Sequence, residues 1–279
     1  MPSISCADFT FPVPDRATAL KLIKLLGFRF VDIGLFARNA HFSPGELLSR
    51  RNPFIEDVRR DLAAGELEVS DVFLQIGTEP SVSSANDPDA DVRARNQVVF
   101  QHAVEFCVAI GCGHMTGLPG IEHDRLPAES SFALAAEAAH WRTRLCAEAG
   151  VIYSIEPHIG SICQDVASTQ RLLAAVAGLT LTLDYGHFVA AGEQSSRVDV
   201  LLSSATHIHV RGGAPGRLQT SVRDNAIDFS AMMTALKRMH YDGFLALEYV
   251  WSDWMDCNRT DNVSETLLLR RTLEHALSI

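Results

Sequence analysis

The sequence predicts an α/β protein of the (β/α)8 TIM barrel class, a single domain over residues 1–279, and three observations carry that expectation. Short apolar runs suited to buried strands alternate with runs of helical period as far as the C-terminus. There are eight strand-like runs, and 279 residues is the usual size for eight βα units. No GxGxxG follows the first run, where a doubly wound sheet would more often place its phosphate-binding turn.

The eight strands are expected at 3–9, 30–35, 69–77, 114–118, 151–158, 179–185, 206–210 and 244–250. Helix punctuation lies between them. Asp15 is placed to cap a helix over 16–26 that Gly27 closes, and Gly150 ends one over 132–149. Asp165 and Gly178 bracket 166–177, Asp228 precedes 229–239, and Asn262 precedes 263–277. Most connections are short, but 36–53 and 214–227 are long enough to act as lids. Leu267, Leu268 and Leu269 near the C-terminus could pack on the barrel or on another subunit.

Composition narrows the function. The chain is 47% hydrophobic and 21% charged, which excludes disorder, and it has no apolar run long enough for a membrane span. Its 24 Lys and Arg against 34 Asp and Glu leave a net charge of −10, which opposes a nucleic-acid partner and favours a small molecule. Six Cys are scattered without a CxxC pair, and Met1 to Cys6 has neither a basic nor an apolar leader region. A cytoplasmic location is therefore expected.

In a barrel of this class the chemistry sits where strands end. The last four strands finish on ionisable residues: Glu156 and His158, Asp184 and His187, His209 and Arg211, then Glu248. Alternation of side chains along a strand allows a parity test. If Glu156 points inward, Val151, Tyr153 and Ile155 face the helices. An inward Asp184 puts Leu181 and Leu183 outside and Thr180 and Thr182 inside. His209 and Glu248 likewise leave Ile208, Val210, Leu245, Leu247 and Tyr249 outside. Three carboxylates and an imidazole sharing one mouth repel one another unless a cation holds them, so Glu156, Asp184, His209 and Glu248 are expected to ligate one divalent ion. Oxygen-rich ligation with one nitrogen points to Mn²⁺ first, with Mg²⁺ or Co²⁺ as alternatives.

These residues resemble the xylose isomerase-like barrels, in particular the branch of sugar isomerases and epimerases. The resemblance spans nearly the whole chain, and its specific part runs from Glu156 to Glu248. It includes Asp184-Tyr185-Gly186-His187, matching a DxxH, and His209-Val210-Arg211, matching an HxR. It implies that the four strand ends bind one metal and that His187 and Arg211 hold substrate oxygens. The ketose 3-epimerases of that family carry an acidic residue six positions after the strand-five Glu, where this chain has Ile162.

The reaction expected is isomerisation or epimerisation of a keto-sugar or hydroxy-ketone through a metal-stabilised enediolate, with Glu156 and Glu248 as the acid/base pair. Trp251, just after strand eight, is a candidate to stack on the substrate, as is Trp254. His158 shares a face with Glu156, and family lyases use a pocket histidine near this position. A metal-dependent dehydratase or lyase with His158 as acid/base is therefore the alternative, with 3-dehydroshikimate, an inosose or a 3-keto-glycoside as the type of substrate. An apurinic endonuclease-like nuclease is weaker, because strands one to three offer little beyond Asp32 and Gln75 as ligands. A non-catalytic barrel is weaker still. His207 is expected inside the barrel as a hydrogen-bonded histidine, His41 could cap the pocket, and a homo-oligomer, dimer or tetramer, is expected.

Overall fold

The computed structural model describes residues 1–278. Eight parallel strands close into a barrel: β1 (Ser3–Ala7), β2 (Phe30–Phe36), β3 (Glu68–Gln75), β4 (His114–Gly117), β5 (Ile152–Ile155), β6 (Thr180–Asp184), β7 (Ala205–Val210) and β10 (Phe244–Leu247). Each pairs with its sequence neighbour, and β10 closes on β1 with Ser3 opposite Phe244. Between β7 and β10 a two-stranded hairpin, β8 (Gly212–Ala214) and β9 (Arg217–Thr220), occupies part of the segment expected as a lid. The helices that cover the barrel include α1 (Arg16–Leu25), α2 (Pro44–Gly65), α3 (Ala90–Ala109), α4 (Ala128–Glu148) and α5 (Val166–Ala175). They are followed by α6 (Tyr185–Ala190), α7 (Ser195–Val198), α8 (Phe229–Arg238) and α9 (Asn262–Ser278).

Alternation is what makes the barrel wall. Ile33, Leu181, Leu183, Ile208, Leu245 and Leu247 face the helices and are fully buried, burial that supplies the main drive for closing the layers. Inside, Thr116 meets Thr182 across the lumen at 2.6 Å, and Ser154 meets Thr180 and Thr206 at 2.7 and 2.8 Å. Two register shifts alter strict alternation. One opposes Ala205 and His207 to Leu181 and Thr182 and leaves Thr206 extra; the other leaves Ser70 extra between Val69 and Asp71. Each bulge turns two consecutive polar residues inward, Thr206 with His207 and Ser70 with Asp71, as their lumenal hydrogen bonds record.

The capping residues act as their types require. Asp15 accepts from the Thr18 N–H at 3.0 Å, and Gly27 follows α1 with a φ of +89°. Asp165 and Ser168 form a reciprocal capping box, and Asp228 accepts from Ala231 N–H at 2.9 Å. Two expectations are corrected. The segment 36–53 is not one long loop, because α2 starts at Pro44 behind a Ser43 cap; a non-helical Arg50 (φ −149°) supplies the kink that tolerates Pro53. Asn262 does not cap the last helix; Asp261 accepts from the N–H groups of Val263 and Ser264. Asn262 instead donates to the Thr10 carbonyl at 2.8 Å, tying α9 to the loop behind β1. In α9 Leu269 is fully buried against the barrel while Leu268 is exposed, so only part of that leucine run is open to a partner.

Candidate active site

The ionisable residues meet at the C-terminal mouth of β5, β6, β7 and β10. Glu156 and Glu248 lie one residue past the ends of β5 and β10, yet keep strand orientation. Their N–H groups continue the ladder to Gly117 O (3.0 Å) and Val210 O (3.1 Å). His209 stands on β7 between them. Its Nδ1 is 2.6 Å from Glu156 Oε1 and 3.4 Å from Glu248 Oε2. Asp184 ends β6, and its Oδ1 accepts the Gly186 N–H at 2.7 Å. A Cβ at Gly186 would lie 2.9 Å from that oxygen, so glycine is required for the close turn.

The four expected ligands fall into two overlapping groups, Glu156 with His209 and Glu248, and Glu156 with Asp184 and His187. Within each group one potential ligand atom per residue lies within 4.8 Å of the others. Arg211 joins them: the same guanidinium nitrogen reaches Asp184 Oδ2 at 2.5 Å, Glu248 Oε2 at 3.4 Å and His187 Nε2 at 3.2 Å. His158 lies beside them, its Nδ1 3.0 Å from the Ile159 carbonyl oxygen and its buried Nε2 without a hydrogen-bond partner. Trp251 and Trp254 are about half exposed on the same cavity, with the Trp254 ring 6.0 Å from that of His187.

Charge makes the cluster receptive to a cation. Three buried carboxylates face one guanidinium and one imidazole that they hold in its charged form, so the acidic groups outnumber the cations Arg211 and His209. Burial opposes ionisation of Glu156, but His209, His187 and Arg211 outweigh it and hold the carboxyl down at about 2. Burial dominates at Glu248 and pushes it to about 7 despite Arg211 and His209. Burial also works against a charged His209, yet Glu248 and Glu156 raise it well above the ordinary histidine range. His187, desolvated next to Arg211, falls to about 4. Glu248 Oε2 is buried with no hydrogen-bond partner, so this donor set fits a hard divalent ion.

Asp32, on β2, is the polar residue beneath this cluster whose role strand-end reasoning did not find. Its Oδ2 is 2.6 Å from His207 Nε2 and 3.6 Å from His209 Nε2, while Oδ1 accepts from Ser5 at 2.8 Å and from Ser70. Inward parity was the available clue. His207 is thus a hydrogen-bonded interior histidine, and His114 is another, between Asp71 (2.6 Å) and Ser154 (2.9 Å). His41 does not reach the cavity; its Nε2 is 2.9 Å from the Phe11 carbonyl oxygen. Among the described residues no helix is long and apolar enough to cross a membrane.

A closed parallel barrel with acids and a histidine on its last four strand ends defines a class of proteins, and the comparisons give the family. The chain belongs to the xylose isomerase-like TIM barrel family, whose model matches residues 20–273. No curated protein matches it in sequence. Among solved structures it is similar to a D-allulose 3-epimerase from Methylomonas sp., at 14% identity and a TM-score of 0.75 over 99% of this chain and 98% of that one. It is similar to the D-psicose 3-epimerase of Clostridium cellulolyticum H10 at 11% identity, TM-score 0.77, over 99% of each chain. A probable 3-DHS dehydratase involved in petrobactin synthesis from Bacillus anthracis is similar at 13% identity, TM-score 0.68, over 96% of this chain and 98% of that one. At these identities the likeness is one of fold.

Proposed function

We propose that the chain is a divalent-metal-dependent sugar isomerase or epimerase that acts on a keto-sugar or hydroxy-ketone through an enediolate. The observation that carries this reading is the pair of carboxylates, Glu156 and Glu248, on either side of His209 at the floor of an open cavity of about 220 Å³. Bound at Glu156, Asp184, His209 and Glu248, the ion, Mn²⁺ by first choice, would polarise the substrate carbonyl and stabilise negative charge on its oxygen. β5 and β10 stand three strands apart in the ring, so the two glutamates approach a bound substrate from different sides. One removes the proton next to the carbonyl and the other returns it to the opposite face, which inverts that carbon. Arg211, His187 and Trp251 line the cavity, and in this reading the first two would hold substrate oxygens and Trp251 would cover the substrate. The epimerases and the dehydratase among the similar structures support an enzyme with a small sugar-like substrate, and a cytoplasmic homo-oligomer is part of the same proposal.

A second reading has its own observation. His158 lines the same cavity and its buried Nε2 has no hydrogen-bond partner, so on substrate binding it could move a proton to or from a β-leaving group, giving a lyase. Proton NMR in D₂O of the Mn²⁺-loaded protein with ketoses, inososes, 3-keto-glycosides and 3-dehydroshikimate separates the two. Deuterium next to the carbonyl together with an epimer or aldose–ketose partner is the expected result, and alkene signals would replace it with the lyase. Glu248→Gln is expected to slow turnover by about 10²–10⁴ while the protein stays folded. Near wild-type exchange in that variant would remove the acid/base pair from the mechanism.

A further inference from the structure

Two arginines are buried among the described residues, and their surroundings differ. Arg211 is paired with Asp184 at the mouth of the barrel. Arg142, on α4, forms no ion pair with any described carboxylate, and its partners are neutral. Its Nη1 donates to the Tyr153 hydroxyl at 3.3 Å, and the guanidinium lies 4.8 Å from the centroid of the Phe100 ring. The N–H groups on Nε and Nη2 meet no acceptor among the described residues. Burying a charge is costly unless an opposite charge answers it, so this position asks for an anion that the chain itself does not bring.

Arg142 lines a cavity of about 90 Å³ between α3 and α4, and Arg93, on α3, lines it too. Arg93 is half-buried. Its Nη1 donates to the Asp87 and Pro88 carbonyls at 2.7 and 3.0 Å, and it forms no ion pair with a described carboxylate. Asn96 fixes the wall beside them, its amide nitrogen donating to the carbonyls of Ser83 and Ser84 at 3.0 and 3.1 Å. Glu137 stands exposed on the rim and pairs with neither arginine. Two cations against one acid make this lining locally positive in a chain whose net charge is −10. A cavity of roughly 150 Å³ admits a benzene ring, so this smaller one suits a group of phosphate size and excludes a nucleotide or a sugar. Guanidinium groups from two separate helices can each give N–H groups to different oxygens of one anion, which favours a tetrahedral oxyanion over a carboxylate. We propose that the pocket between α3 and α4 binds a small tetrahedral oxyanion, phosphate or sulfate, held by Arg142 and Arg93. Arg142 also shares a smaller gap with Gln75 and Pro80, which line the active cavity, so the anion sits behind one wall of that cavity and apart from the acids at its floor.

The test is isothermal titration of the full Mg²⁺-loaded chain with sodium phosphate, sodium sulfate and sodium acetate at constant ionic strength set by chloride. One phosphate or sulfate per chain is expected to bind with a Kd below about 1 mM, the tighter of the two naming the anion, and acetate at least about tenfold more weakly. Arg142→Met is expected to weaken the tetrahedral anion by at least about tenfold. Arg93→Gln, which leaves the core untouched, is expected to weaken it by at least about threefold and decides the matter should Arg142→Met fail to fold. Melting gives a second readout that separates a bound anion from a packing role. The wild type is expected to melt higher in the preferred anion than in chloride of equal ionic strength, and Arg93→Gln to lose most of that rise while melting like the wild type in chloride. Absence of phosphate and sulfate binding up to about 10 mM, or acetate binding as tightly as either, overturns the proposal. So does an affinity that survives in Arg93→Gln and in folded Arg142→Met, which would place the anion elsewhere, such as on the metal at the mouth.

Discussion

Replacing Asp32 by Asn tests whether the lumen beneath the site sets the metal affinity. The exchange keeps an oxygen able to accept from Ser5 and Ser70 but presents an NH₂ group where Oδ2 now faces His207 Nε2 at 2.6 Å and His209 Nε2 at 3.6 Å. When an ion is held at Nδ1, which lies 2.6 Å from Glu156 and 3.4 Å from Glu248, the remaining ring proton of His209 sits on Nε2, and the Asp32 carboxylate 3.6 Å away stabilises it through charge rather than through a hydrogen bond. With the amide that charge is gone, and the Nε2–H tautomer that ligation requires is less favoured. Partners of ligating histidines are typically worth about 10–100-fold in metal affinity, or about 1.4–2.7 kcal/mol. Asp32→Asn is therefore expected to weaken Mn²⁺ binding by that factor, read as free Mn²⁺ in an electron paramagnetic resonance titration. Near-ultraviolet circular dichroism checks that the barrel is intact. Wild-type Mn²⁺ affinity in a folded Asp32→Asn protein refutes the tautomer argument.

Chelation should lower the melting temperature, and Mn²⁺ at about 100 times its Kd should restore about 2.7 kcal/mol; unchanged melting on chelation and readdition would count against a metal held by the four strand ends. His158→Gln is expected to slow deuterium exchange less than Glu248→Gln does, and the reverse order would favour the lyase. Stability should also depend on Asp8, which burial raises to about 8 against the pull of the Gly34 N–H at 2.6 Å. The folded state then holds this proton where the unfolded chain has released it. The contribution is full below about pH 4 and is lost as the pH climbs through about 8, at no more than about 1.4 kcal/mol per pH unit. Denaturant melts between pH 5 and 8 should show that slope in the wild type and a shallower one in Asp8→Asn. Parallel curves would refute it.

The eight strands, their order and the inward parity of Glu156, Asp184, His209 and Glu248 were legible because period and alternation are local properties that packing preserves here. Caps at Asp15, Asp165 and Asp228 were legible for the same reason. Asn262 was not, since Asp261 beside it offers the same chemistry and only the position of the Thr10 carbonyl chooses between them. The start of α2 was missed because Pro53 reads as a break, while the kink that accommodates it is visible only in the backbone at Arg50. Pairing between distant segments decided the rest. The bulges at Ser70 and Thr206 exist only when two strands are laid side by side. Asp32 acquires its role from histidines 175 and 177 positions away. An apolar wall forms only when barrel closure brings the Phe9, Phe36 and Phe73 rings opposite the acids. Sequence determined which residues could do chemistry at the mouth, because residue type and strand period are written along the chain. Tertiary structure alone decided which charges come within reach of one another and what shape of cavity they face, because both depend on distances that closure of the barrel sets.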